Sequence, residues 1–192
     1  GKIAEVGHIT SVASRTIDAD GLIVSPGFID GHTHMDAQVA WDPLGSCSCW
    51  HGVTSVVMSN CGFALAPCKP EDRDWYARCL SAVEDIPTAA MAAGIDWTWE
   101  TFPEYLATVE RLPKAINYGM YIGHSALRMY VMGRRALSEK ATEDDMTRLA
   151  GMGVYLEHSM CMFAEDSKFR FYEPAKLQAM IEAAGVDRTI LG

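Results

Sequence analysis

The run Val53–Met58 (VTSVVM) constrains the fold most, because apolar and β-branched side chains fill a short segment without strict alternation. Such a run is typical of a strand that is covered on both faces, as the strands of parallel sheets are. Weaker strands are predicted at 28–34, 117–123, 154–157 and Thr189–Leu191.

Helices are predicted between these strands. The segments 101–104 and 142–145 both have the spelling of a capping box, which predicts helices that continue to about residues 112 and 150. Two further helices are predicted at 71–83 and 174–184. Strands that alternate with helices indicate an α/β fold with a parallel sheet, either open or closed into a barrel.

The first 25 residues have a different pattern, in which short strand-like stretches are separated by Gly7, Gly21 and then Pro26. Strands are predicted at the following positions: 2–6, 16–18 and 22–24. We interpret residues 1–25 as part of a small β-domain and residues 26–192 as a second unit.

Composition narrows the class of protein. The net charge of −9 argues against nucleic-acid binding, since Arg134 and Arg135 are the only adjacent basic pair. No apolar run approaches the roughly 20 residues of a membrane helix, and the sequence does not open with a signal peptide. The six cysteines lack the dense spacing of a disulfide-stapled secreted domain. We therefore expect a cytoplasmic protein that binds neither nucleic acid nor membrane, with thiols free or on a metal.

Residues 26–36 carry the chemistry that the sequence reveals most directly. If the predicted strand continues through them, Asp30, His32, His34 and Asp36 share one face, because alternate side chains of a strand point the same way. Two imidazoles at the carboxyl end of a buried strand can bind one divalent metal. Active sites of parallel α/β folds gather at that end of the strands.

A cysteine follows the second strand, in the segment Ser59-Asn-Cys-Gly62. A thiolate at Cys61 would lie beside the histidines if the two strands are neighbours, and thiolate is a strong zinc ligand. A free cysteine is also a common small buried residue. Position alone leaves both interpretations open.

Several longer motifs carry a family resemblance, and they occur in this order: GFIDGHTHMDAQ (27–38), WDP (41–43), HGVTSVV (51–57), NCGF (60–63), APC (66–68), EDI (84–86), DWTWETFPEYL (96–106) and GHSALRMYVMG (123–133). Over about residues 1–148 the chain resembles the N-acyl-D-amino-acid deacylases, or D-aminoacylases, of the amidohydrolase superfamily. Residues 149–192 resemble a different metal-dependent amidohydrolase, which predicts a junction near residue 148.

The resemblance implies an incomplete (β/α)₈ TIM-type barrel with a small N-terminal β-layer. It also implies hydrolysis of a linear amide, in which an N-acyl-D-amino acid yields a carboxylate and a free D-amino acid. One or two divalent ions, most simply zinc, would be held by His32, His34 and Cys61. The catalytic acid of the family has no identifiable counterpart in this sequence.

Other residues are weaker candidates. His158 follows a predicted strand and is a candidate for a later metal ligand, although a structural role is the more common fate of a lone histidine. His124 and Arg128 belong to the resemblance and are expected near the pocket, where Arg128 would bind a substrate carboxylate or form a salt bridge. Asp30 and Asp36 are expected to orient the two imidazoles through their other ring nitrogens.

Two alternatives stay open, namely an amidohydrolase that acts on cyclic amides, as hydantoinases and dihydroorotases do, and a catalytically inactive fragment. A TIM barrel typically takes about 250 residues, whereas this chain has 192. We therefore expect an incomplete barrel with little or no deacylase activity. Its unpaired strand edges favour self-association.

Overall fold

The computed structural model describes residues 2–152, and beyond them only the backbone of two short strands. Its main sheet has three parallel strands in the order β1, β2, β3: Phe28–Asp30, Val53–Met58 and Asn117–Met120. The central strand β2 is the predicted apolar run, and the side chains of Val56 and Met58 are buried. The parallel α/β arrangement is therefore confirmed.

Six α-helices flank the strands of the described segment 2–152: α1 (Ser46–Cys49), α2 (Arg73–Glu84), α3 (Thr88–Gly94), α4 (Phe102–Glu110), α5 (His124–Met132) and α6 (Glu143–Gly151). Both predicted capping boxes are confirmed, with Thr101 and Glu104 opening α4 and Thr142 and Asp145 opening α6. Within this part of the chain no helix is both long and apolar enough to cross a membrane.

The two short strands form a separate parallel pair, β4 (Leu156–His158) and β5 (Thr189–Leu191). They lie close to the predicted segments 154–157 and Thr189–Leu191, so a parallel strand pair in the last part of the chain is confirmed. The helix predicted at 174–184 lies outside the described residues.

The strands predicted within residues 2–25 are wrong. This segment has no regular secondary structure, and its large apolar side chains are exposed, as the 86% exposure of Ile3 and the 94% exposure of Ile23 illustrate. A strand needs a neighbour to bind its backbone N–H and C=O groups. No strand of the two described sheets pairs with this segment. The three strands predicted here are absent, whereas the assignment of residues 1–25 to a small β-domain is a separate point that stays a prediction.

The first strand is also shorter than predicted, and the reason bears on the site. It ends at Asp30, where Oδ1 of the side chain accepts a hydrogen bond of 3.1 Å from the backbone N–H of His32. Aspartate commonly turns the chain in this way by bonding to the backbone two residues on. The chain then returns to β2, because the backbone N–H of Thr33 donates to Val57 O at 2.9 Å.

Buried aromatic residues fix the long loop that follows β2. The hydroxyl of Tyr76 on α2 lies 2.7 Å from Pro67 O and 2.9 Å from Ala126 O, so its single proton is shared between two carbonyl acceptors. The indole N–H of Trp99 donates to Leu65 O at 2.8 Å. Since a buried carbonyl needs a hydrogen-bond partner, these contacts satisfy the loop backbone and hold it against the helices.

Candidate metal centre

His32, His34 and Cys61 lie together at the carboxyl ends of β1 and β2. Each offers one ligand atom, and the three atoms lie within 4.8 Å of one another. Nε2 of His32 is 3.2 Å from Sγ of Cys61. The three predicted ligands, which come from two loops 29 positions apart in sequence, are thus brought to one place.

Backbone conformation places Cys61 in this cluster. Ser59 and Cys61 have φ of 65° and 55°, and Gly62 has φ of 81°, so all three adopt the left-handed region. Residues other than glycine rarely enter that region unless the surrounding structure holds them there. The chain therefore turns sharply at the end of β2.

Asn60, for which the sequence predicted no role, joins this turn to the loop that carries the histidines. Its Nδ2 donates to Thr33 O at 3.1 Å and to Val57 O at 2.9 Å. One side chain of the cysteine turn thus bonds to the histidine loop and to strand β2. The NCGF motif contained this residue, but nothing local in the sequence indicated which backbone atoms it would contact.

Asp36 is buried, and its carboxylate accepts hydrogen bonds from Ser59 at the start of the same turn. Its carboxylate accepts hydrogen bonds from the backbone N–H of Ser59, at 3.0 Å, and from the Ser59 hydroxyl, while its own carbonyl accepts one from Tyr105 at 2.9 Å. Burial raises the pKa of Asp36 to about 6, against the Ser59 hydrogen bonds that lower it, and the charge of Glu84 raises it further.

The prediction that Asp30 and Asp36 orient the imidazoles is therefore wrong. Within residues 2–152 neither carboxylate forms a hydrogen bond to an imidazole: Asp30 bonds to the backbone of His32 and Asp36 bonds to Ser59. The physical reason is that β1 ends at Asp30, so the alternation of a strand no longer aligns the side chains that follow.

A different carboxylate faces a histidine. Oε1 of Glu84 lies 3.9 Å from Nδ1 of His34, and both side chains are largely buried. Glu84 belongs to the EDI motif of the sequence, but no chemistry was assigned to it. Its position 50 residues away from His34 in the chain left no local signal of the contact.

His124 abuts the cysteine turn from α5. A Cβ built on Gly62 would lie 3.8 Å from the backbone N and from the Cβ of His124. Burial by surrounding protein, and then the charge of Arg128, lower the pKa of His124. The start of α5 therefore lies beside the turn that carries Cys61, and the lowered pKa favours a neutral imidazole at His124 near pH 7. A place of His124 in the pocket stays a prediction.

Arg128 on α5 is engaged by backbone carbonyls that follow its own helix. Its Nε donates to Ala136 O at 3.1 Å, and Nη2 donates to Glu139 O. No salt bridge of Arg128 occurs among residues 2–152, so the salt-bridge interpretation is wrong, while binding of a substrate carboxylate stays a prediction. The chain after α5 turns back over that helix, so its backbone carbonyls accept the hydrogen bonds that the Arg128 guanidinium donates.

His158 is the last residue of β4, for which the structure describes only the backbone. Its candidacy as a later metal ligand therefore stays a prediction.

The donor set fits a divalent metal of the zinc type, because imidazole nitrogen and thiolate are the ligands that zinc prefers. His32 and Cys61 are exposed, so an ion has access from solvent, while His34 is half-buried. Nδ1 of His34 is buried and has no hydrogen-bond partner among the described residues.

The profile of the amidohydrolase family matches residues 15–165. The chain belongs to the amidohydrolase family. An amidohydrolase relative is the D-aminoacylase of Alcaligenes xylosoxydans xylosoxydans, 34% identical over 176 residues, which are 91% of this chain and 33% of the relative. An uncharacterized protein of Mycobacterium tuberculosis is 35% identical over 148 residues, 76% of this chain and 24% of that protein. The chain thus spans about a quarter to a third of the length of these relatives.

Solved structures agree with this assignment. A D-aminoacylase described by its binuclear metal centre has a TM-score of 0.63 and 28% identity, covering 95% of this chain and 36% of that one. A second D-aminoacylase structure, described as defining a novel subset of amidohydrolases, has a TM-score of 0.60 and 28% identity, covering 91% of this chain and 34% of that one. The described part of the chain therefore has the fold of the corresponding part of these amidohydrolases.

Proposed function

We propose that this chain belongs to a metal-dependent hydrolase of linear amides, which converts N-acyl-D-amino acids into a carboxylate and a free D-amino acid. The observation that carries the proposal is the cluster of His32, His34 and Cys61 within 4.8 Å at the carboxyl ends of two parallel strands. The 34% identity to a D-aminoacylase supports the substrate class.

Zinc, as one or two ions, is the proposed cofactor. When bound, a divalent metal supplies Lewis acidity, which polarises an amide carbonyl and lowers the pKa of water. The residues of the chain contribute the donors: the imidazoles of His32 and His34 and the Cys61 thiolate. The D-aminoacylase with a binuclear centre supports a site for more than one ion.

The hydrogen bonds around the cluster keep these donors in position. Asp36 holds Ser59, and Asn60 joins the cysteine turn to Thr33, so both ligand loops are fixed behind the open face of the site. The proposal assigns no proton-transferring residue, because the predicted neighbours Asp30 and Asp36 are engaged by the backbone and by Ser59.

An incomplete (β/α)₈ barrel agrees with the three parallel strands and their intervening helices. The partner is a small N-acyl amino acid, and unpaired edges of the sheet favour self-association. A cytoplasmic location is supported by the five cysteines of the described segment 2–152, all of which are free.

An amine-release assay tests the activity. Zinc-loaded protein is incubated with N-acetyl-D-methionine and with its L isomer, whose hydrolysis releases an amine. A hydantoin is the cyclic amide, and its ring opening to the N-carbamoyl amino acid, which releases no amine, is followed by chromatography. We expect little or no turnover of the D isomer by this chain, and any turnover should be confined to the D isomer and abolished by His32→Ala. Equal hydrolysis of the L isomer, or hydrolysis of the hydantoin alone, contradicts the proposed substrate. Absence of all turnover contradicts catalysis by this chain and supports an inactive fragment.

Alkylation tests the role of Cys61. We expect its thiol to resist iodoacetamide in zinc-loaded protein and to react after a chelator removes the metal, since coordination protects the sulfur. Peptide mass mapping reads two internal controls at once. Exposed Cys47 should react in both forms. Cys68 should react in neither, because burial raises the pKa of its thiol to about 12. Equal reactivity of Cys61 in both forms indicates a packing residue instead.

A further inference from the structure

We infer that Glu84 is a positioning residue of the metal centre, which accepts a hydrogen bond from Nδ1–H of His34 and leaves Nε2 of that ring to bind metal. The inference rests on the proposed function, because it assigns a purpose to a residue beside a proposed ligand. Glu84 would not itself touch metal or substrate.

The first observation is that a buried ring nitrogen of His34 has no hydrogen-bond partner among the described residues. Nδ1 of His34 is buried and has no hydrogen-bond partner, while Oε1 of Glu84 lies 3.9 Å away. A buried polar nitrogen without a partner is unfavourable, and structures rarely leave one. The gap is roughly 1 Å longer than a hydrogen bond, which a small rotation of the Glu84 side chain closes.

The second observation is the place of Glu84 in its helix. It is the last residue of α2, and Asp85 ends the helix with φ of 53°. A carboxylate is unfavourable at that end, because the backbone carbonyls there carry partial negative charge. Tyr76 and Leu80 are buried in the core and fix this helix, so Glu84 is held at the site. A residue that opposes its local preference is often retained for function.

The consequence concerns which nitrogen of His34 carries the proton. A neutral imidazole has one N–H, and the hydrogen bond made by that N–H decides which nitrogen stays free. Histidines that bind metal commonly donate their other N–H to a carboxylate, which also holds the ring in orientation. Glu84 has the right group and burial for this contact, whereas Asp30 and Asp36 bond elsewhere.

Zinc affinity, measured by competition with a chromophoric chelator, tests the inference in the whole chain. We expect Glu84→Ala to weaken zinc binding about 10–100-fold, as losses of such outer partners do. Glu84→Gln keeps an oxygen acceptor of the same size without the charge, so its loss should be smaller. Asp85→Asn is the matched control, because it removes the same charge at the adjacent exposed position, and asparagine tolerates positive φ. We expect its affinity to stay at the wild-type value.

A second measurement separates positioning from general stability. The ¹⁵N shifts of His34 in metal-free protein report its tautomer, which should be Nδ1–H in the wild type and mixed in Glu84→Ala and Glu84→Gln. If either variant unfolds, the other decides. Wild-type zinc affinity in both Glu84 variants, or an Nε2–H tautomer in the wild type, overturns the inference alone. Failure of the wild type to bind zinc overturns the proposed function, while the tautomer still tests Glu84.

Discussion

Replacing both His32 and His34 with alanine should abolish retention of zinc by the purified protein. The two imidazoles supply two of the three clustered donors, and the Cys61 thiolate alone cannot hold an ion at this position. Removing a residue that merely supports a ligand already weakens binding about 10–100-fold, so the loss of two direct donors should exceed that range. The measurement is the metal content after dialysis against a weak chelator.

The matched control replaces His8 and His51, two exposed histidines outside the cluster, with alanine. It removes the same number of imidazoles and should retain as much zinc as the wild type. Wild-type zinc content in the protein with His32→Ala and His34→Ala would show that the metal binds elsewhere. Equal loss in both double variants would indicate non-specific binding by histidines.

Gly123→Ala should destabilise the fold and weaken metal binding together. A Cβ on Gly123 would lie 2.5 Å from the carbonyl oxygen of Gly62 and 2.9 Å from the Cβ of Ala64. The backbone after Cys61 would have to move, since a carbonyl cannot rotate away as a flexible side chain can. Overpacking of this kind costs about 1–3 kcal/mol of unfolding free energy. Denaturant unfolding and chelator competition measure the two effects.

Gly31→Ala is the control for that experiment. Gly31 is adjacent to His32, but a Cβ there would meet no atom within 4 Å. We expect both stability and zinc affinity to stay close to wild type. An unchanged zinc affinity in Gly123→Ala, despite a lower stability, would show that the position of the Cys61 turn does not control metal binding.

Local features of this fold could be predicted from the sequence. The capping boxes at Thr101 and Thr142 involve residues only three positions apart, so a short stretch of sequence is enough to predict them. The apolar run of β2 likewise predicts a strand by itself, in which Val56 and Met58 are buried. The gathering of His32, His34 and Cys61 agrees with the rule that the ends of neighbouring parallel strands meet at one edge, but position alone left the role of Cys61 open, and the family resemblance supplied it.

Contacts between distant residues could not be predicted in the same way. Asp36 and Ser59 are 23 positions apart, and the burial that raises the pKa of Asp36 arises only when the loops pack. The alternation rule failed for Asp36 because Asp30 ends the strand by bonding to the backbone of His32. Residues 2–25 have a sequence pattern typical of short strands. A strand also needs a neighbouring strand to pair with, and neither described sheet supplies one for this segment.

The hydrogen bonds of Asp36 and Asn60 behind the ligands have a consequence for how the centre would exchange its ion. These hydrogen bonds hold the histidine loop against the cysteine turn in the absence of a metal. The conformational entropy of that closure is lost when the protein folds, and binding then requires little further ordering. Ion loss should accordingly leave a preorganised apo-protein, which can reload from solvent without refolding.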